Sequence, residues 1–552
     1  MTFVKTQTRG AVQTVWLLKN FPVIQAMLAL LAGGAQAASL AWPGWLQSPV
    51  WMALGLRQGE PVWWLQLLAL ATLAWLLLNC HAPADGQLRR GAWRQAAFLG
   101  WLFSTAWLAG TFGWTFVALH TYGGLPSLLA VLAVVGLAGL LALYYAAVCG
   151  LFVALAPINK AWSALVFAAL WLLAELARGT WLTGFGWGAV GYAHVDGPLA
   201  SFVPWVGMYG LCAITAWLTM ILAQALHINQ SLWRYRVAGL VVVLMVLILP
   251  QQLWTNASDR SNSAGRLSVT LLQGNIPQDE KFETGSGVPL ALQWYAEQLQ
   301  NSRTALVIAP ETAIPVLPQQ LPPDYWMALQ QRFSTGQQAA LIGTPLGNFQ
   351  EGYTNSVVGL KPDQPQPWRY DKHHLVPFGE FIPPLFKWFT EMMNIPLGDF
   401  NRGGLQQAPF EWQEQRLSAN ICYEDLFGEE LAPHFSNPAL APTIFVNISN
   451  LAWFGQTLAM DQHLQIARMR ALEFERPFLL ATNTGVTAIV DHRGRLVSRL
   501  ARHTRGVLVG EVEGRTGMTP YAGWMARFGL WPFWVFAGGL VWLAVRRTLR
   551  KR

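Results

Sequence analysis

From Gln95 to Asn159 the chain carries no Asp, Glu, Lys or Arg. A fold surrounded by water has no use for so long an uncharged stretch. A bilayer core about 30 Å thick demands one. The composition agrees: 53% of residues are hydrophobic, 12% are charged, and there are 29 tryptophans. Soluble domains carry about twice that charge. The excess of basic residues, +8 overall, would suggest nucleic acid in a soluble protein. Here the basic residues sit at the ends of apolar runs, which is a topology signal for a membrane protein and not a nucleic-acid surface.

The apolar runs fall near 21–42, 63–80, 96–119, 127–157, 161–183, 205–227, 237–254 and 522–545. This pattern predicts about eight membrane helices. The first is expected to be retained: Ala35-Gln36-Ala37 resembles a leader cleavage site, but it lies inside a run that continues to Trp42. Alternate connectors are basic. Arg89, Arg90 and Arg94 lie between runs two and three, Lys160 between four and five, and Arg234 and Arg236 between six and seven. A basic tail, Arg546 to Arg552, follows the last run. The connectors His120–Pro126 and Gly184–Pro204 hold no Lys or Arg. By the positive-inside rule both termini are cytoplasmic, and the polar insert between runs seven and eight is on the outer side. The expected division is a membrane domain over 1–254, a separate domain over 255–520, and a last helix with its tail over 521–552.

The insert alternates strand-like with helical patterns. Strands are expected at Leu267–Ile276, Ala305–Ala309, Ala339–Gly343, Thr354–Leu360, Leu417–Cys422, Thr443–Ile448, Phe478–Thr482, Val486–Val490 and Val507–Val512. Helices are expected at Pro289–Asn301, Asp324–Thr335 and Ala459–Glu475. That alternation predicts a layered α/β domain.

Three of the four cysteines, Cys80, Cys149 and Cys212, lie in or beside apolar runs, where a cysteine is a small hydrophobe. No disulfide framework is implied. Cys422 instead ends a strand and precedes Tyr423-Glu424-Asp425. Alone it is open between a structural thiol and a nucleophile. Glu311 ends the strand Ala305–Ala309, and Lys372 lies in Tyr370-Asp371-Lys372-His373-His374. Singly, each of these is an ordinary turn or surface residue. Together they supply what thiol acyl chemistry needs: a carboxylate to take the proton, an ammonium to stabilise thiolate and oxyanion, and a nucleophile.

In this order, and with Cys-Tyr-Glu around the thiol, these residues resemble the nitrilase or carbon–nitrogen hydrolase superfamily. Its insertion before a last membrane span resembles that superfamily's membrane branch, the apolipoprotein N-acyltransferase family. Gln273-Gly274-Asn275-Ile276-Pro277-Gln278, Pro377-Phe378-Gly379-Glu380, Asn447-Ile448-Ser449-Asn450, Trp453-Phe454-Gly455 and Gln465–Ala471 carry the same resemblance. It implies an αββα sandwich, with Glu311 as general base, Lys372 as oxyanion stabiliser and Cys422 as nucleophile. Glu380 and Glu424 would flank the lysine, and the Tyr423 N–H would face the oxyanion. The implied reaction is ping-pong. An acyl chain passes from a membrane phospholipid, phosphatidylethanolamine being the expected donor, to a Cys422 thioester. It then passes to the α-amine of a diacylglyceryl-cysteine at the N-terminus of an apolipoprotein. The implied setting is the inner membrane of a Gram-negative bacterium, with the insert periplasmic. The enzyme is expected to act as a monomer and to need no cofactor.

Other candidates rest on weaker signals. The apolar segment around Phe386 and Trp388 is expected to form a lid dipping into the membrane. Asn447 and Trp453 are expected to wall the site. Glu175 and Arg178, three apart in run five, suit either a lipid headgroup or each other. Arg468 and Arg470 are expected in surface ion pairs. His373, His374, His434 and His463 lack metal-ligand spacing, so no metal is expected. Two other functions remain: a membrane-tethered amidase for a small amide, which would need fewer spans and no lid, and a transport protein using the insert as a binding module.

Overall fold

In a bilayer every backbone N–H and C=O must be satisfied within the protein, so uncharged apolar runs form helices. The structure, a computed structural model, describes residues 22–80, 91–155, 160–227, 233–256, 260–364, 366–382 and 400–550. Among the described residues seven long helices precede the insert: α1 (Pro22–Leu40), α2 (Trp63–Cys80), α3 (Ala92–Phe112), α4 (Ser127–Leu155), α5 (Lys160–Thr180), α6 (Val203–His227) and α7 (Trp233–Asn256). By length and composition, 5 described helices can cross a membrane, or up to 7 if two bent pairs each count as one span. The expected count of about eight is therefore approximate, for local reasons. The α3 run bends by 63° beyond Phe112, and the apolar part of α7, Arg236–Leu249, is short.

The insert folds as two facing six-stranded sheets. Its strands are β1 (Ser261–Gln273), β2 (Leu306–Ile308), β3 (Ala339–Asn348), β4 (Gly352–Leu360), β5 (Trp368–Asp371), β6 (Phe410–Trp412), β7 (Gln415–Ile421), β8 (Ile444–Ser449), β9 (Phe478–Thr482), β10 (Ala488–Val490), β11 (Leu496–Arg499) and β12 (Gly506–Gly517). The orders are β12-β1-β2-β3-β4-β5 and β11-β10-β9-β8-β7-β6. Each sheet has a parallel centre, β1-β2-β3 in one and β7-β8-β9 in the other. These strands are covered on both faces, which is why they read as continuous apolar runs.

Alternation sorts their side chains. Val269, Leu271, Leu306, Ile308, Val446 and Ile448 meet between the sheets. The opposite face of the first sheet, with Leu272, Val307 and Ile342, is covered by α8 (Gly287–Asn301) and α9 (Tyr325–Ser334). The opposite face of the second, with Phe445, Phe478 and Leu480, is covered by α10 (Ala459–Phe474). The layers are thus αββα. After β12 come α11 (Pro520–Phe528) and α12 (Trp531–Leu549), a pair bent by 86° at Gly529, whose φ is +54°.

All of α10 is buried. One face packs on the second sheet, through Met460, Leu464 and Ala467. The other, through Ile466, Met469 and Leu472, joins the apolar core of the membrane helices. Arg468 and Arg470 are therefore not on a surface. Arg468 pairs with Asp196 of the connector before α6, and Arg470 pairs with Glu473 at 3.1 Å. No side of α10 was left to face water, which corrects the expectation of surface ion pairs.

Gln462 pins the two parts together. Its Oε1 accepts from the indoles of Trp114 (3.0 Å) and Trp187 (2.8 Å), and its Nε2 donates to the Thr111 carbonyl at 2.9 Å. In Gln462→Leu all three partners would be buried and unsatisfied, at about 1–3 kcal/mol each before relaxation. We expect a clearly lowered unfolding midpoint in detergent. A midpoint equal to that of wild type would mean that the three partners find other hydrogen bonds.

Candidate active site

Each candidate catalytic side chain stands where a strand stops. Glu311 follows β2 by three residues, Lys372 directly follows β5, and Cys422 directly follows β7. The two sheets face one another, so these ends converge at one rim. Gly343 of β3 makes room for the Glu311 turn: a Cβ there would lie 2.3 Å from the Pro310 carbonyl and 2.8 Å from the Glu311 Cα. Cys422 has φ +52°, in the left-handed region, and Thr312 beside Glu311 has φ +48°. Such backbone costs a non-glycine residue about 1–2 kcal/mol. It persists only where the surroundings enforce it, commonly at functional sites.

The Glu311 carboxylate is held from two sides. Oε1 accepts from Asn355 Nδ2 at 2.7 Å, and Oε2 accepts from the Asn450 backbone N–H at 2.8 Å. Lys372 Nζ is 3.6 Å from Glu311 Oε1 and 2.9 Å from Glu380. Asn355 Nδ2 also donates to Glu380 at 2.8 Å, so one amide spans both carboxylates. The second Glu380 oxygen accepts from the Val376 N–H at 2.8 Å. Lys372 is 1% exposed. Burial disfavours its charge, but Glu380 and then Glu311 outweigh that and hold its pKa above the usual lysine value. It stays an ammonium.

Burial pushes the Cys422 thiol well above its ordinary pKa. The Glu311 carboxylate pushes the same way and Lys372 opposes it. The resting thiol is therefore protonated. To act as a nucleophile such a thiol needs a proton acceptor beside it.

Glu424 does not share Lys372 in the way Glu380 does. Its Oε1 accepts from the backbone N–H groups of His373 (2.6 Å) and His374 (3.0 Å). Its Oε2 accepts from the Ile421 N–H (2.6 Å) and the Tyr370 hydroxyl (2.9 Å). It clamps the lysine's strand end to the cysteine's. Burial raises its pKa in spite of Lys372 and these donors. The Tyr423 hydroxyl donates to the Gly184 carbonyl at 3.0 Å, tying the turn after Cys422 to a connector of the membrane helices. Asn447 Nδ2 donates to the Cys422 carbonyl at 3.0 Å. Behind that carbonyl, His463 lies 3.2 Å from Asp425, which raises the imidazole pKa against the effect of burial.

Trp453 is exposed and meets Tyr122, at the end of the bent α3 run, edge-on at 5.5 Å. Glu175 and Arg178 are enclosed and paired at 2.9 Å. Arg178 also donates to the Tyr145 hydroxyl (2.9 Å) and to the carbonyls of Phe185 (2.6 Å) and Trp187 (2.8 Å). Its donors are spent shaping the connector that Tyr423 touches. Phe386 and Trp388 lie outside the described residues.

Sequence reasoning missed Asn355, the Asp425–His463 pair and Lys281. Nothing local marks Asn355, a polar residue in a strand. Lys281 carried a weak signal, as a cation just beyond Asn275-Ile276-Pro277 at the end of β1.

Comparison with known proteins is consistent at both ends of the chain. The carbon–nitrogen hydrolase family model matches residues 268–521, and the apolipoprotein N-acyltransferase N-terminal domain model matches 50–221. An apolipoprotein N-acyltransferase from Verminephrobacter eiseniae is 55% identical over 91% of this chain and 92% of its own. One from Ralstonia nicotianae is 44% identical over 83% and 85%, and one from Bordetella bronchiseptica 36% over 96% and 98%. A membrane-helix domain and a carbon–nitrogen hydrolase sandwich, continuous with these relatives over nearly their whole length, place this chain in the apolipoprotein N-acyltransferase family of membrane acyltransferases.

Proposed function

We propose that Cys422, Glu311 and Lys372 carry an acyl group from a membrane phospholipid to the N-terminal amine of a diacylated apolipoprotein. The observation that supports this most is the convergence of the three at one sandwich rim, on a domain fastened to membrane helices by α10. A lipid-borne donor and a lipid-borne acceptor can both reach such a rim.

In the first half-reaction Glu311 takes the Cys422 proton and the sulfur attacks the donor's ester carbonyl. Lys372, with backbone N–H groups of the turn after Cys422, stabilises the tetrahedral oxyanion. The C–O bond breaks, Glu311-H returns its proton to the leaving oxygen, and a lysophospholipid departs. In the second half the acceptor's neutral amine attacks the thioester carbonyl, the C–S bond breaks, and the amine's proton returns through Glu311 to the sulfur. Glu380 keeps Lys372 charged in both halves. Glu424, Asn447, Asn355 and Tyr423 act by holding backbone and side chains in register. Glu175 and Arg178 act in the same way, through the connector Phe185–Trp187. The basic-loop asymmetry supports cytoplasmic termini and a periplasmic sandwich. A monomer holds the whole set.

Intact-mass analysis after incubation with phosphatidylethanolamine in detergent tests this reading. The expected result is a gain of one fatty acyl group, removed by neutral hydroxylamine and absent from Cys422→Ser. A Cys422 that reacts with a thiol probe but takes no acyl group from phospholipid would favour the membrane-tethered amidase instead.

A further inference from the structure

The rim holds a second lysine. Lys281 is 2% exposed, and its Nζ donates to the backbone carbonyl of Glu311 at 3.1 Å. Among the described residues it has no carboxylate within ion-pair distance. The centroid of the Phe282 ring lies 5.9 Å from the ammonium. A buried lysine with one neutral hydrogen-bond acceptor is costly unless its charge is used. The groups that act on it electrostatically are the Glu311 and Cys422 side chains. On its own turn, Asp279 is exposed, Glu280 is partly so, and Gln278 is engaged with Asn450 at 2.8 Å.

A charge count shows the use. Lys372 and Glu380 cancel. Glu424 is clamped by three backbone N–H groups and the Tyr370 hydroxyl, and Asp425 is matched by His463. Besides Glu424, whose carboxylate is met by those neutral donors, what remains is one negative charge. It resides on Glu311 before proton transfer and on the Cys422 sulfur after it. An uncompensated negative charge in a buried site opposes ionisation of the thiol. The hydrogen bond also anchors the backbone that carries the Glu311 carboxylate.

We infer that Lys281 is a positioning residue of the acyl-transfer site, whose ammonium balances the negative charge exchanged between Glu311 and Cys422. This rests on the reading of Cys422 as nucleophile. Two lysines thus divide the work: Lys372 is tied to Glu380, while Lys281, without a carboxylate partner among the described residues, supplies the net charge. Burial lowers the Lys281 pKa to about 8, with Glu311 and then Cys422 opposing the fall. The ammonium is therefore present below about pH 8 and is lost above it. Thiolate formation strengthens its hold on the proton.

The test is the rate at which iodoacetamide alkylates Cys422 in the purified full-length protein, followed by peptide mapping from about pH 6 to 10; burial holds this thiol above an ordinary one, so rates are compared pH by pH on the rising limb. Lys281→Met and Lys281→Gln are compared with Lys281→Arg and wild type. Each unit rise in the thiol pKa lowers the thiolate fraction about tenfold below the midpoint. The expected result is a rate near neutral pH reduced about tenfold or more in both neutral variants, and rescue by arginine to within about threefold of wild type. A structural role alone would lower the unfolding midpoint without moving the alkylation profile. Rates in both neutral variants equal to that of wild type overturn the inference and leave the nucleophile standing. A wild-type Cys422 that takes no acyl group from phosphatidylethanolamine overturns the proposed function itself, whatever the alkylation profiles show.

Discussion

Cys422→Ala will abolish N-acylation of a diacylated lipopeptide, by a factor of at least about 10⁴ at saturating phospholipid, and leave the protein folded. The size follows from the ping-pong scheme. Without the sulfur there is no acyl-enzyme, and what survives is the small acceleration from binding and oxyanion stabilisation. The folded state should tolerate the change because the side chain of Cys422 is a minor part of either core. The strained φ of +52° suits alanine no worse than cysteine. The measurement is lipopeptide mass after incubation with wild-type and variant enzyme, beside their unfolding midpoints in detergent. Activity within about tenfold of wild type would mean that the acyl chain does not pass through Cys422.

Lys372→Met carries the second-largest expected effect, and it should strike activity and stability together. Removing the ammonium leaves Glu380 and Glu311 bridged only by Asn355. Breaking a buried pair by deleting one partner costs about 3–5 kcal/mol, because the other charge is left uncompensated. Loss of an oxyanion partner costs about 10²–10³ in rate. The double variant Lys372→Met with Glu380→Gln separates the two effects. It removes the orphaned charge, so most of the stability should return while the rate stays low. Unfolding midpoints and acyl-enzyme formation rates of the single and double variants make the comparison. Recovery of the rate along with stability would show that Lys372 only holds the fold together.

What could be read from the chain depended on how each element meets its surroundings. The membrane helices were legible because lipid excludes charge, so Gln95–Asn159 announced itself by what it lacks. The central strands β2, β8 and β9 were legible because burial on both faces leaves an unbroken apolar run. The strands β5, β6 and β11 were not. They lie toward the outer edges of their sheets, and exposed residues such as Arg369 and Glu411 interrupt their apolar pattern. The candidate site was legible where polar residues ended apolar strands, at Glu311 and Cys422. Lys281 was only faintly so, because its partner is a carbonyl oxygen and carbonyls leave no mark in a sequence. Arg468 and Arg470 misled for a related reason. A charged pair on a helix ordinarily faces water, and only the tertiary structure reveals that α10 has no such face.

That helix carries a consequence for the chain as a physical object. A sandwich domain joined to an anchor by flexible linkers could be cut free and studied alone. Here the cut would uncover Ile466, Met469 and Leu472, along with Gln462 and Arg468 stripped of their partners. The excised fragment would be sticky and short of hydrogen bonds. The membrane helices would lose the cover that satisfies Trp114 and Trp187. Neither half is a finished molecule, and the rim that carries the candidate site is held at one position relative to the membrane helices by that shared core.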